Sequence, residues 1–233
     1  MYSKKFSKFI EIWQKDFAIE QSIDKKICAD KNGNPLPWYT YPAIEYLDQF
    51  DYSNKNVFEY GCGYSSLFWA NRAKHVTSIE DNSEWFDRWQ KEFHCNNLEI
   101  LHRPEGPDYY NSITEKSDTL YDVIAIDGKN RAECSISALK KLKPSGFIIL
   151  DDSDRVNASQ EYVDAINTLK ESNLLQIDFY GFCPMNNYTK TTSCFFSRQF
   201  DFKSRHPVQP INGIGNLWGM GRRQRKDFYK ENL

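Results

Sequence analysis

Asp127, Asp151 and Asp152 stand directly after two short apolar runs, 121–126 and 147–150, of the kind that form buried parallel strands. Neighbouring strands lie roughly 4.8 Å apart, and ligands of open α/β sheets bind at the strands' carboxyl ends. Three carboxylates gathered there would offer oxygen ligands to one hard divalent cation such as Mg²⁺. A bound cation lowers the pKa of a coordinated hydroxyl and fixes its orientation, which an alcohol needs to act as a nucleophile at neutral pH. Lys129, two residues past Asp127, is the first candidate for a general base and His102 the second. The lysine would need its pKa lowered by burial or by a neighbouring cation. The competing account makes Asp152 or Asp154 a helix cap, Lys129 a surface charge and Asp127 a structural carboxylate.

A second constellation lies upstream. Glu59-Tyr60-Gly61-Cys62-Gly63 follows the first apolar run and precedes a helical pattern. Glycines let backbone approach a ligand closely, and the helix behind such a turn offers free N–H groups. Ser66 stands where the dinucleotide fingerprint G-x-G-x-x-G demands its third glycine, which argues against a nicotinamide cofactor. Glu80 ends the second strand, where a carboxylate can accept hydrogen bonds from both hydroxyls of a ribose. An ordinary turn followed by a solvated glutamate is the alternative.

These residues need a scaffold, and the pattern supplies one. From Val57 onward, short apolar runs alternate with helical periods, the mark of repeated βα units and a parallel sheet. Strands are expected at 56–60, 75–80, 98–101, 121–127 and 147–150. Helices are expected at 65–73, through Trp85, Trp89 and Phe93, at 132–142 and at 159–171. Lys143-Pro144-Ser145-Gly146 reads as a helix stop. Two last strands, 175–180 and 192–196, are joined by a connection short enough for an antiparallel hairpin. Phe6, Ile10, Trp13 and Phe17 recur at helical spacing, so the N-terminus is expected to form an amphipathic helix, packed on the domain or lying on a membrane surface. The segment from about Lys203, with glycines at 213, 215, 219 and 221, reads as irregular.

The acidic residue two before Gly61 matches the E/D-x-G-x-G first motif of class I S-adenosylmethionine (SAM)-dependent methyltransferases, which the chain resembles over roughly residues 35–200. The resemblance implies a Rossmann-like three-layer α/β sandwich with a seven-stranded, mostly parallel sheet and an antiparallel last strand. It divides the chain into an N-terminal helical extension with a Pro/aromatic segment (1–50), a SAM-binding core (51–200) and a C-terminal irregular extension (201–233). It also implies that Glu80 holds the ribose, while Glu59, Tyr60, Gly61, Cys62 and Gly63 border the methionine part and Glu105 lies near the adenine. Pro37-Trp38-Tyr39-Thr40-Tyr41 is similar to segments that precede the first motif in related bacterial enzymes and fold over the cofactor, which brings in Thr40; a rigid loop of packed aromatics is the competing account. Asp127, Asp151 and Asp152 resemble the acidic motifs of metal-dependent O-methyltransferases, including catechol-type and antibiotic sugar enzymes. The catechol-type lysine stands three residues after its aspartate, not two as Lys129 does. The implied reaction is methyl transfer to a hydroxyl of a small molecule or sugar; a metal-free enzyme acting on nitrogen or RNA, or a non-catalytic nucleoside-binding protein of this fold, are its rivals.

Composition narrows the classes further. Thirty Lys and Arg against 32 Asp and Glu give a net charge of −2, with no general attraction to nucleic acid, and the N/D-P-P-Y motif of amino-methylating DNA enzymes is absent. No apolar run approaches the roughly 20 residues of a spanning helix. The six cysteines form no C-x-x-C pair, which argues against zinc and suits the reduced thiols of a cytoplasmic protein. The run Arg222-Arg223-Gln224-Arg225-Lys226 would either grip a phosphate of the substrate or remain solvated.

Overall fold

The structure, a computed structural model, describes residues 3–116 and 118–217. Its strands are β1 (Asn56–Tyr60), β2 (His75–Glu80), β3 (Leu98–His102), β4 (Tyr121–Ile126), β5 (Leu142–Leu150), β6 (Leu175–Phe182) and β7 (Thr189–Phe196). They form one seven-stranded sheet in the order β3-β2-β1-β4-β5-β7-β6. β1 to β5 pair in parallel, and β7 runs antiparallel between β5 and β6. This is the Rossmann-like α/β sandwich expected, with the antiparallel strand where the resemblance put it.

The side-chain period of two divides the core. Val57, Val123, Ala125, Phe147 and Ile149 face one layer of helices, and Phe58, Tyr60, Ile124, Ile126, Ile148 and Leu150 face the other. The first layer holds α3 (Tyr41–Leu47) and α4 (Tyr64–Ala70), through residues such as Leu47 and Trp69. The second holds α7 (Arg131–Lys141) and α8 (Gln160–Glu171), through Cys134, Ala138, Ala165 and Leu169. α5 (Ser83–Glu92) starts where Asn82 accepts the Trp85 N–H at 3.0 Å, satisfying one of the donors a helix N-terminus leaves free.

Register aligns the chemistry. Tyr60 pairs with Ile79 and Ile126, and Ile126 with Leu150. The next residues of the four strands, Gly61, Glu80, Asp127 and Asp151, therefore form one row along the carboxyl edge of the sheet. Antiparallel β7 brings a further residue to that row from the opposite direction, because Leu150 pairs with Ser193 and Thr192 then meets Asp151.

Some boundaries differ from those expected. β5 begins at Leu142, which pairs with Tyr121, and a bulge carries it to Phe147 opposite Val123. Pro144 and Gly146 lie in that bulge rather than in a loop; a Cβ at Gly146 would come within 2.5 Å of the Asp122 carbonyl oxygen, so only glycine permits the approach. Two short helices, α2 (Ile19–Lys25) and α6 (Pro107–Asn111), have no periodic signal at their length. α1 (Lys4–Lys15) packs on the domain through Trp13, 4.5 Å from Phe17 between ring centres, while Phe17 lies edge-on to Tyr41. Residues 203–214 run back along α3: Asp51 donates to the Lys203 carbonyl and Arg205 to that of Gln49. The basic run Arg222-Arg223-Gln224-Arg225-Lys226 lies outside the described residues.

Candidate active site

A cleft of about 640 Å³ opens at the carboxyl edge of the sheet. One half is built mainly from backbone. Gly61 has φ +93°, and a Cβ there would stand 3.0 Å from the Asp127 carbonyl oxygen, so the turn closes only with glycine. Gly128 is held as tightly on the facing loop, where a Cβ would overlap the Tyr109 hydroxyl. Glu80 reaches under the turn: Oε2 accepts the Cys62 N–H at 3.1 Å and Oε1 the Asn82 N–H at 3.0 Å. Each oxygen keeps a lone pair for a ligand hydroxyl. Burial raises the Glu80 pKa, against the opposing pull of those two N–H groups.

Glu59 supports this turn from below. It is fully buried, accepts from Ser66 at 2.5 Å and Ser78 at 2.9 Å through Oε2, and Ser66 in turn accepts the Gly63 N–H. Its Oε1 has no hydrogen-bond partner. Burial lifts its pKa from 4.5 to about 7, although the Ser65, Ser66 and Ser78 hydroxyls pull the other way.

The other half is built from charged side chains. One oxygen from each of Asp127, Asp151 and Asp152 lies within 4.8 Å of the others. Two cations lie among them. Lys190 of β7 contacts the Asp151 carboxylate and stands 3.1 Å from Asp152 Oδ1. Arg131, the first residue of α7, is 3.2 Å from Asp127 Oδ1 and 3.6 Å from Asp152 Oδ2, and donates to the carbonyls of Gly128 and Asp151. Thr192 completes Asp151 by donating to Oδ1 at 2.6 Å. Burial alone would lower the Lys190 pKa, but the neighbouring Asp151 and Asp127 outweigh it and raise it. Asp127 is raised by burial and by the charge of Asp151. Asp152 holds φ +53°, an uncommon conformation for a side chain with a Cβ and one that clusters at functional sites.

Gly61, Cys62, Gly63, Glu80, Asp127, Lys129 and Asp152 line the cleft together. Other expected residues are placed elsewhere. Glu59 lies beneath the turn, and Tyr60 points into the core with its hydroxyl on the Tyr110 carbonyl. Thr40 is buried behind β7, where its N–H donates to Thr192 at 3.0 Å and its hydroxyl to the Phe179 carbonyl. Asp151 is fully buried behind Lys190. His102 packs on Phe86 with Nε2 3.1 Å from the Asp81 carbonyl, and Glu105 is exposed; neither lines the cleft. Lys190 and Arg131 were not expected in the site. Arg131 carried a local signal, since it follows Asp127 by four residues at a helix start, whereas Lys190 is 39 residues from Asp151 and carried none.

No protein-family model matches the chain, and no curated protein matches it in sequence. Solved structures do match it in fold. An O-methyltransferase from Bacillus cereus in complex with SAH, the demethylated product of SAM, is 17% identical with a TM-score of 0.54, covering 82% of this chain and 90% of its own. The O-methyltransferase TomG from Streptomyces achromogenes, involved in tomaymycin synthesis and solved in complex with SAM, is 14% identical with a TM-score of 0.54, covering 80% of this chain and 89% of its own. The chain has the fold of class I SAM-dependent methyltransferases.

Proposed function

We propose that the protein is a SAM-dependent methyltransferase acting on a hydroxyl of a small molecule or sugar. The observation that carries this is Glu80, fixed by two backbone N–H groups beside the Gly61-Cys62-Gly63 turn with one lone pair on each oxygen turned to use. Such a carboxylate suits two adjacent ribose hydroxyls. SAM supplies an activated methyl group on a sulfonium. On transfer, the carbon–sulfur bond breaks with its electron pair kept by sulfur, and a carbon–oxygen bond forms to the acceptor, whose proton leaves.

The residues of the second half orient that acceptor and receive its proton. Asp127 lies in the cleft with a raised pKa, and a carboxylate so tuned takes up a proton more readily than a free one. Lys129 also lines the cleft and remains the lysine candidate for the base; His102, outside it, is not proposed. Mg²⁺ fits this half poorly, because two cations already stand among the carboxylates: Lys190 against Asp151 and 3.1 Å from Asp152 Oδ1, which accepts no hydrogen bond, and Arg131 against Asp127 and Asp152. No described helix is long and apolar enough to cross a membrane.

Calorimetry with SAM and with SAH tests the first part. Saturable binding of both is expected. Release of labelled methyl onto a panel of sugar and phenolic hydroxyl compounds tests the second. Absence of SAM binding by folded protein would overturn the proposal.

A further inference from the structure

We infer that Lys190, with Arg131, takes the place of a divalent cation among Asp127, Asp151 and Asp152, so that the site works with a built-in ammonium instead of a metal. The inference rests on the proposed methyl transfer for its meaning but on the geometry of the cluster for its support. Three carboxylates within 4.8 Å of one another cannot all remain ionised in a buried setting without compensation. A divalent ion would bring two positive charges. Lys190 and Arg131 bring the same two, and between them they contact all three aspartates. Arg155, 3.1 Å from Asp152 on its more exposed side, adds a third.

The positions matter as much as the sum. Lys190 and Asp151 are almost completely buried, so their contact is not a surface pair exchanging with solvent. Asp151 is fully buried with one oxygen held by Lys190 and the other by Thr192, so a metal reaching it would meet the Lys190 ammonium. Lys190 also lines the cleft beneath Trp38, its Nζ 5.9 Å from the ring centre. One N–H of Lys190 is given to Asp151, and Asp152 Oδ1, 3.1 Å away, accepts no hydrogen bond, so the ammonium keeps donor capacity for an acceptor oxygen in the cleft. An ammonium so placed orients an oxygen and favours its anionic form, two of the tasks a metal performs in such a site.

The test is Mn²⁺ binding, read by calorimetry and by the Mn²⁺-induced shift in thermal midpoint, on wild-type protein and on Lys190→Met. No saturable Mn²⁺ binding and no shift are expected for the wild type. Lys190→Met, with one compensating charge gone, should bind Mn²⁺ at least about tenfold more tightly and be stabilised by it. Lys190→Gln, which keeps donors toward Asp151 but loses the charge, serves if the methionine variant does not fold. Wild type binding Mn²⁺ as tightly as the variants, with loss of that binding in Asp152→Asn, would overturn the inference. Folded variants that gain no Mn²⁺ affinity would overturn it equally. SAM binding measured on the same samples separates the two readings: wild type that ignores both SAM and Mn²⁺ defeats the proposed function while the cation result stands.

Discussion

The two halves of the cleft are made of different materials. Around Gly61 the cleft-facing surface is backbone, shaped by a positive φ and a glycine contact, with Glu80 held by main-chain N–H groups. Around Asp151 it is a knot of side-chain charges drawn from the ends of β4 and β5, from α7 and from β7. The first half depends on local geometry and tolerates little change of shape. The second depends on electrical balance, and each member is buried at a cost that only the others offset. Substitutions should therefore fail differently: by lost ligand affinity in one half and by lost fold stability in the other.

The largest effect is expected in the charged half. Asp151→Ala leaves Lys190 buried without its main partner, and breaking such a pair costs about 3–5 kcal/mol. Urea unfolding should show that loss; a change below about 1 kcal/mol would mean that solvent reaches the pair and that the contrast between the halves is false.

Glu59 sharpens the comparison, because it is a buried charge problem inside the backbone-built half. Its folded pKa of about 7 lies above the ordinary 4.5, so between those values the folded protein holds a proton that the unfolded chain has released. Its contribution to stability is thus present in acid and is lost as pH rises through that window, by an amount on the order of 3 kcal/mol. Glu59→Gln should flatten this slope, and unfolding measured at pH 4.5 and pH 8 for both proteins gives the difference. Equal slopes would show that Glu59 is ionised throughout.

Glu80→Ala is expected to weaken SAM binding by about 1.5–3 kcal/mol, the range for a hydrogen bond to a charged group, with little change in unfolding. A stability loss without an affinity loss would turn Glu80 into a mere fastener for Cys62 and Asn82. At the small end stands Glu105→Ala. The side chain is exposed and outside the cleft, so SAM affinity and stability should both stay within about 0.5 kcal/mol. A larger affinity loss would restore it to the adenine.

The same division governs what could be read from the chain alone. β1 and β2 were expected at the residues where they occur, because apolar runs bounded by turn residues fix short buried strands. The turn at Gly61 was legible because its chemistry is contiguous. β5 was placed five residues late, since Pro144 and Gly146 signal a stop in any local view, and only pairing of Leu142 with Tyr121 makes them part of a bulge. Thr40, which the resemblance brings to the cofactor, instead braces Thr192 behind β7 and does not line the cleft. The aspartates were legible as a group, while Lys190 was not. Lys190 falls in the connection before the strand expected at 192–196, and only the start of β7 at Thr189 brings its ammonium against Asp151.

That sheet order has a consequence for how the molecule is completed. β7 is the last strand among the described residues, yet it lies inside the sheet, between β5 and β6. As the polypeptide is made, Asp151 and Asp152 are therefore laid down at an open sheet edge, with Lys190 and Thr192 still to come. The strand that closes this edge is also the one that neutralises the carboxylates beside it. A chain ending before Thr189 would carry both an unpaired edge and an uncompensated acidic cluster, and the arrival of one hairpin removes both defects in a single step.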